Sequence, residues 1–268
     1  MNTCLYFSAR VARRFLPLAS LPKPWREKLP GLRPNLGELR QDGIWHIYRK
    51  NVPVPPDQWV EGRSVLEIGT GRTNGSCYML VAHGARHAVS FEPFRPLDSG
   101  RDAKQLADVS TACKWDETAL SARVSRVTTI GVLPDEAFDT VLSLAVLEHV
   151  TDMTLLANDL WRVLKPGGVM LHIVDYRDHF FRYPYHHLLW SDKTWERWLD
   201  PGDLPRWRIS DHVSFFTKRG FSTRILKSSV IESEFVKIES RIHPSLKSRY
   251  DKHDLKTAYG SIWAEKPA

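Results

Sequence analysis

Short apolar runs alternate with longer amphipathic segments along most of the chain after residue 60. The runs have the length of buried strands, and Gly or Pro follows several of them. In the segments between them, apolar residues recur three and four positions apart, which is the spacing of a helix that packs on one face. Strands that alternate with helices predict an α/β fold, in which a mostly parallel sheet carries helices on both faces. The predicted strands lie at residues 64–69, 87–93, 126–132, 140–144 and 169–175.

The first predicted strand ends in an acid and a glycine-rich turn, with the sequence SVLEIGTGRTNG at residues 64–75. Gly69, Gly71 and Gly75 allow the backbone to approach a ligand closely. The helix that follows offers unpaired N–H groups to a carboxylate or a phosphate. A second acid, Glu92, ends the second strand, where it can accept hydrogen bonds from the hydroxyls of a ribose. The two strand ends therefore predict a nucleoside ligand with an anionic or zwitterionic tail.

The spacing of the glycines separates two classes of nucleoside ligand. Dinucleotide enzymes use GxGxxG, whereas this chain has the pattern E-x-G-x-G-x-x-x-G. The acid before the first glycine, Glu67, would repel a diphosphate but suits an ammonium group. S-adenosyl-L-methionine carries an adenosine, an α-amino group and a carboxylate. It therefore fits these residues better than NAD does.

Four segments in order resemble motifs of the class I S-adenosylmethionine-dependent methyltransferases: VLEIGTGRTNG, VSFEP, FDTVLSLAVLEHVTD and LWRVLKPGGVMLHI. The resemblance covers residues 60–174 and is closest to the small-molecule branch with an LEHV motif, the type 11-like methyltransferases. It implies a Rossmann-like, seven-stranded sheet whose last strand is antiparallel, and S-adenosyl-L-methionine as the cofactor. Many members have an acid after the third strand that holds the adenine; here the backbone of Gly131 to Leu133 is expected to serve instead. The expected cofactor residues are Glu67, Gly69, Thr70, Gly71, Glu92, Pro93, Leu133, Ser143, Leu144 and Glu148.

The rest of the chain divides into segments around this core. Residues 1–58 are expected to form an amphipathic helix with arginines on its polar side, followed by a proline-rich linker. The helix is expected to pack on the domain, although a basic, apolar helix can also lie on an anionic membrane surface. Residues 59–268 form the predicted methyltransferase domain, with an aromatic cap inserted after strand five at about 176–210 and a second insertion at about 231–256. Residues 211–221 predict a helix, and 222–229 and 257–266 predict the last two strands.

Methyl transfer from a sulfonium is an in-line displacement that depends mainly on alignment of the acceptor. A base helps when the acceptor is a hydroxyl, and histidine is suited to this role near neutral pH. His149, after strand four, and His179, in the cap, are the predicted catalytic residues. The spacing of Asp175, Asp178 and His179 does not match a known metal site, so no metal is predicted. The predicted substrate residues are Asp175, Tyr185, His186 and Trp190.

Composition limits the function classes less than the motifs do. The net charge of +7 permits an anionic partner such as nucleic acid. However, the Asn/Asp-Pro-Pro-Tyr segment of enzymes that methylate the amino groups of bases is absent. Enzymes that methylate C5 of cytosine or uracil need a nucleophilic cysteine next to a proline, and none of the three cysteines is next to one. These absences disfavour nucleic acid as the substrate. The three cysteines form no CxxC pair, which fits a reducing cytoplasm, and the protein is expected to be cytoplasmic, with possible contact to the inner membrane face.

The predicted function is methyl transfer to a hydroxyl of a small molecule, saccharide or glycolipid. Two alternatives stay open at this point. One is an RNA methyltransferase that uses the basic surface, and the other is a non-catalytic partner protein with the same fold. The sequence makes no prediction about the oligomeric state.

Overall fold

A computed structural model describes residues 3–15, 41–55, 58–179, 183–200, 202 and 204–268. Most of the predicted proline-rich linker lies outside the described residues. The described chain contains a seven-stranded sheet with the strand order β3-β2-β1-β4-β5-β7-β6. The strands are β1 Ser64–Ile68, β2 His87–Phe91, β3 Val124–Val127, β4 Phe138–Leu144, β5 Leu164–Asp175, β6 Ser222–Val230 and β7 Thr257–Glu265.

Strands β1 to β5 pair in parallel, and β7 is antiparallel to both β5 and β6. This arrangement confirms the predicted Rossmann-like fold with an antiparallel last strand. The third strand was predicted at 126–132 but ends at Val127, where its pairing with Phe91 of β2 also ends. Beyond that point β2 runs into Pro93, which has no N–H to continue a ladder. Residues Ile130–Val132 form a 3₁₀ turn instead.

Helices cover both faces of the sheet, as the sequence predicts. They are α1 Thr3–Phe15, α2 Gln41–Asn51, α3 Gly75–Ala82, α4 Ser99–Cys113, α5 Glu117–Ser121, α6 Met153–Val163, α7 Asp192–Thr194, α8 Ile209–Arg219, α9 Glu232–Phe235, α10 Pro244–Arg249 and α11 Lys252–Lys256. No helix within the described ranges combines the length and the apolar character needed to cross a bilayer.

Successive strand residues point to opposite faces, and each face has its own core. Val65 and Leu142 pack with α3 and α2 on one side, whereas Leu66 and Val141 pack with α6 and α8 on the other. Because both faces are covered, the central strand β1 is buried along its whole length. The carboxyl ends of β1, β2, β4 and β5 therefore meet at one edge of a rigid sheet, which is where ligands bind in such folds.

The cap follows β5 and has a small core of its own. Trp195, Leu199 and Leu204 pack together, and α1 contributes Phe7 and Val11 to the same cluster. Buried arginines hold the irregular backbone here: Arg206 donates to the carbonyl oxygens of His187 and Trp190 at 2.8 and 2.9 Å. Residues 232–256 form a second cluster with Tyr185 and Leu188 of the cap. Helix α1 thus packs with its apolar side on the cap, and contact with a membrane through that side would require α1 to detach.

Candidate functional site

The glycine-rich loop after β1 is shaped by close packing on one side and open space on the other. Gly69 has a φ of 74°, and a Cβ added there would lie 2.4 Å from Cγ2 of Val146. Gly71 has a φ of 72°, but a Cβ added there would meet nothing within 4 Å. Both angles favour glycine. Gly69 is thus required by the neighbouring loop, while Gly71 faces a space that a ligand can enter.

Arg126 of β3 holds this loop from below, a role that the sequence reasoning missed. Its guanidinium donates to the carbonyl oxygens of Gly71 at 2.6 Å and Arg95 at 2.8 Å, and to the hydroxyl of Thr70 at 3.1 Å. Asp102 of α4 accepts the backbone N–H of Asn74 at 2.6 Å at the start of α3. Side chains from β3 and α4 therefore fix the backbone of the loop before any ligand binds.

Glu92 lies at the carboxyl end of β2, next to the loop. Its Oε2 accepts the N–H of Gly71 at 2.8 Å, and its Oε1 accepts the N–H groups of Phe94 and Arg95, both at 3.0 Å. A carboxylate offers about four acceptor positions, so three amides orient the group and leave room for a further donor. Pro93, which follows, is exposed. This geometry suits recognition of a ribose hydroxyl.

Glu67 has a different environment, although it also lies near a strand end. It is buried, its Oε1 accepts from the hydroxyl of Tyr48 at 2.9 Å, and its Oε2 accepts from Sγ of Cys77 at 3.6 Å. Burial raises the pKa of this carboxyl. The side chain therefore points toward α2 and α3 under the loop. Its predicted contact with the ammonium group of the donor stays a prediction.

The end of β4 provides the next set of predicted residues. The buried hydroxyl of Ser143 lies 2.8 Å from Nδ1 of His172 on β5, and Leu144 packs against the core beside α3. Leu133 is buried, its N–H donates to the carbonyl oxygen of Ile130, and its own carbonyl oxygen accepts from Arg162. The side chains of Ser143 and Leu133 thus take part in the packing of the domain.

Glu148 and two histidines converge beyond the ends of β4 and β5. One possible ligand atom each from Glu148, His149 and His179 lie within 4.8 Å of one another. The rings of His149 and His179 have centroids 4.7 Å apart. Burial, followed by the effect of His149, lowers the pKa of His179 to about 4, so its imidazole is neutral at pH 7. The structure therefore brings together the two histidines that the sequence predicts as catalytic.

Glu148 differs from the other carboxylates of the site. It is 5% exposed, and neither carboxylate oxygen has a hydrogen-bond partner among the described residues. Burial raises its pKa to about 8, while the nearby His149 lowers it and the charge of Asp175 adds a smaller increase. Glu148 is therefore mostly protonated at neutral pH unless a cation lies beside it.

The predicted substrate residues lie in three different surroundings. Asp175 pairs with Arg177 at 2.7 Å, and that guanidinium lies over the ring of Tyr259 at 4.3 Å. His186 and Trp190 face Tyr6 of α1, with ring centroids 5.3 and 6.3 Å apart. Tyr185 is fully buried instead, and its hydroxyl donates to the carbonyl oxygen of Lys256 at 2.7 Å. Tyr185 therefore lies in the core below the cap.

Helix α1 connects to the site through a buried cluster. Tyr6 and Arg10 both donate to the carboxylate of Asp178, the residue before His179. The side chains of Arg10 and Asp178 are 1% and 0% exposed, and the Arg10 guanidinium also lies 5.0 Å from the ring of Trp195. Residues at the N-terminus thus fix the position of the segment that carries His179.

A family model described as a methyltransferase domain matches residues 25–226. The chain belongs to this methyltransferase family. It is 28% identical over 158 residues to a tRNA U34 carboxymethyltransferase of Ruthia magnifica subsp. Calyptogena magnifica, covering 55% of this chain and 43% of that protein. It is 26% identical over 157 residues to a probable S-adenosylmethionine-dependent methyltransferase of Mycolicibacterium smegmatis, covering 53% and 52%. The chain thus spans about half the length of the curated relatives it matches.

Solved structures show the same fold. A putative sarcosine dimethylglycine methyltransferase of Galdieria sulphuraria aligns over 99% of this chain and 98% of its own, with 15% identity and a TM-score of 0.51. Phosphoethanolamine N-methyltransferase 2 of Haemonchus contortus, in complex with S-adenosyl-L-methionine, aligns over 85% of this chain and 53% of its own, with 16% identity and a TM-score of 0.52. These likenesses confirm the class I methyltransferase fold that the motifs predict.

S-adenosyl-L-methionine is the cofactor of this methyltransferase family, as the sequence predicts. The residues of the chain fit it: open space lies over Gly71, and the fixed carboxylate of Glu92 borders that space. Three residues that support this side, Arg126, Asp102 and Tyr48, were not predicted from the sequence. A basic residue within a short strand next to the glycine-rich loop, as at Arg126, is the signal that could have identified one of them.

Proposed function

We propose that this methyltransferase transfers a methyl group from S-adenosyl-L-methionine to a hydroxyl of a small molecule, saccharide or glycolipid. The observation that carries the proposal is the pairing of His149 with His179, with ring centroids 4.7 Å apart, at the sheet edge where the acceptor must lie. Both rings are only partly buried. The packing of the core therefore does not by itself require the two histidines to lie together.

On the donor side, the contacts described above support the following roles. Gly69, Thr70 and Gly71 would form the backbone cradle, and Glu92 would accept a hydrogen bond from a ribose hydroxyl. When bound, the cofactor supplies a methyl group on a positively charged sulfur. Arg126 already fixes the loop, so the chain loses little conformational freedom when the cofactor binds.

On the acceptor side, the chain needs to align a hydroxyl and to accept its proton. His179 is neutral at pH 7 and therefore has a ring nitrogen free of a proton. The aromatic rings of His186 and Trp190, covered by α1, line the approach. Flat aromatic and polar groups together suit a phenol or a sugar ring. The cover by α1 and the cap also limits the access of water.

The test is a transfer assay with methyl-labelled donor and three sets of acceptors: phenols, saccharides and glycolipids. His149→Gln and His179→Gln are each expected to lower kcat by about 10²–10⁴ without weakening donor binding. Glu92→Gln is expected to weaken binding of S-adenosylhomocysteine in calorimetry. The matched control is His46→Gln, since His46 is an exposed histidine on α2. Full activity of both histidine variants, or label transferred to an amine and not to a hydroxyl, would contradict the proposal.

A methyltransferase acting on RNA is the second candidate, and the specific observation that favours it is the net charge of +7 together with the similarity to a tRNA enzyme. Binding that depends on phosphate contacts weakens steeply as salt rises. If the protein binds tRNA with such a dependence and labels it, the RNA function replaces the hydroxyl acceptor proposed above. If binding to tRNA is absent or insensitive to salt, the RNA function is discarded.

A further inference from the structure

Three side chains from two separate segments form a compact cluster of possible metal ligands. Glu148 and His149 lie in the turn after β4, and His179 follows β5. Their ligand atoms lie within 4.8 Å of one another. Around an ion bound at about 2.0–2.1 Å, neighbouring ligand atoms are about 3.0–3.4 Å apart. Side-chain rotations that shorten the longest distance by about 1.5 Å would therefore bring all three into a coordination sphere.

The state of Glu148 is a second, independent indication of a ligand. A buried carboxyl group, whether protonated or ionised, is normally hydrogen-bonded or paired, because a buried polar group without a partner is costly. Both oxygens of Glu148 are buried and have no hydrogen-bond partner in the described part of the chain. A divalent cation between this carboxylate and the two imidazoles would supply the missing interaction.

The two acids that the sequence reasoning considered for a metal are engaged elsewhere. Asp175 pairs with Arg177, and both oxygens of Asp178 accept from Tyr6 and Arg10. The cluster described here shares only His179 with that earlier set. Sequence spacing could not have shown it, because His149 and His179 are brought together by the ends of two neighbouring strands.

We infer that Glu148, His149 and His179 bind a divalent transition-metal ion such as Zn²⁺ and leave at least one coordination position open. Two imidazole nitrogens and one carboxylate are the donor set of His₂Glu catalytic zinc sites. Mg²⁺ and Ca²⁺ prefer sets made of oxygen ligands, so this site disfavours them. The presence of the metal site does not depend on the proposed function; only the catalytic role assigned to the ion rests on it.

In that role, the open position would take the acceptor hydroxyl. Coordination lowers the pKa of a bound hydroxyl or water. The hydroxyl would therefore release its proton to a water molecule, and its oxygen would form the new bond to the methyl carbon as the bond from that carbon to the donor sulfur breaks. The two histidines would then be metal ligands during catalysis and not bases. They are essential in both of these modes. Metal content and metal affinity separate the two modes, whereas the loss of activity in histidine variants does not.

The test measures metal binding without donor or acceptor. The full chain is freed of metal with a chelator, dialysed, and titrated with Zn²⁺ by calorimetry and with Co²⁺ by visible absorption. We expect one saturable ion per chain and a Co²⁺ spectrum typical of nitrogen and oxygen ligands. Glu148→Gln, His149→Asn and His179→Asn should each weaken binding at least tenfold. His46→Asn, an exposed histidine, should bind as the wild type does.

Circular dichroism and thermal unfolding of each variant show whether it is folded, and the Co²⁺ titration of the wild type stands even where a variant fails. No saturable binding to the wild type, or binding that folded variants of the cluster leave unchanged, overturns the inference. If no ion binds and a hydroxyl is still methylated, the metal site is wrong and the proposed function holds. If one ion binds at the cluster but no hydroxyl accepts label, the metal site holds and the proposed function is wrong.

Discussion

Replacement of Arg10 by methionine tests whether the N-terminal helix is part of the catalytic structure. The guanidinium of Arg10 pairs with Asp178, and both side chains are almost fully buried. Methionine keeps much of the apolar stem of arginine but removes the charge. Arg10→Met would leave the carboxylate of Asp178 buried without the guanidinium, one residue before His179.

The expected magnitude follows from this burial. Removal of one partner from a buried ion pair costs about 3–5 kcal/mol, because the remaining charge stays desolvated. The loss in global stability cannot exceed the free energy with which α1 docks. If the removal of the ion pair costs more than this docking free energy, α1 detaches from the domain. The measured change in the free energy of unfolding then already includes the lost burial of the Tyr6 side chain, which is about 1.5–3 kcal/mol. We therefore expect either a loss of about 3 kcal/mol or more, or a detached helix.

Urea unfolding followed by tryptophan fluorescence gives the global change, and hydrogen exchange of the α1 amides shows detachment. The matched control is Arg14→Met, because exposed Arg14 donates to the carbonyl oxygens of Glu196 and Asp200 at 2.6 and 2.8 Å. Its loss should cost about 1 kcal/mol or less. The double variant Arg10→Met/Asp178→Leu should recover most of the stability, since no charge is then left buried. Wild-type stability and wild-type protection of α1 in Arg10→Met would refute this reasoning.

Three other predictions concern the sheet edge. Because burial raises the pKa of Glu148 from 4.5 to about 8, the folded chain holds a proton that the unfolded chain releases. The free energy of unfolding should therefore fall by about 4 kcal/mol as pH rises from 5 to 9 in chelator, as urea curves would show; a slope that persists in Glu148→Gln would count against it. The methyl group added by Gly69→Ala would clash with Val146, whereas the one added by Gly71→Ala has no neighbour within 4 Å. Gly69→Ala should therefore lower Tm by several degrees more than Gly71→Ala; equal melting temperatures would show that the contact does not matter. Arg126→Gln should weaken S-adenosylhomocysteine binding about tenfold in calorimetry, and unchanged affinity would mean that the loop holds its own shape.

Periodicity and local motifs were sufficient to predict the fold. The alternation of strands and helices sets the sheet, because a parallel pair needs a crossover between its strands. The glycine-rich turn could be placed from sequence because its glycines directly follow the apolar run of β1, although residues distant in sequence, Val146 and Arg126, also constrain its backbone. The third strand was misplaced since its end is determined by β2, where Pro93 stops the ladder. Local sequence carries no information about where a neighbouring strand ends.

The two strand-end acids show why site residues are harder to predict than strands. Glu67 and Val65 are two positions apart in β1 and therefore point to the same face, where Val65 joins the core with Tyr48. The period of the strand was thus enough to predict that Glu67 points to the face of the sheet that α2 and α3 cover. Glu92 comes after the last residue of β2, so the strand period no longer applies to it. Its position depends on the amides of Gly71, Phe94 and Arg95.

The positions of His149 and His179 depend both on the order of the strands and on contacts between segments that are distant in sequence. Since β4 and β5 are adjacent and parallel, their carboxyl ends lie at the same edge, so the topology alone predicts that the two histidines are near each other. Their separation is set by the cap segment, which Asp178 anchors to Arg10 and Tyr6 of α1. A change at Arg10 should therefore alter the distance between the imidazoles and lower both methyl transfer and metal affinity. If Arg10→Met detaches α1 and leaves both activities unchanged, the cap holds His179 without the N-terminal helix.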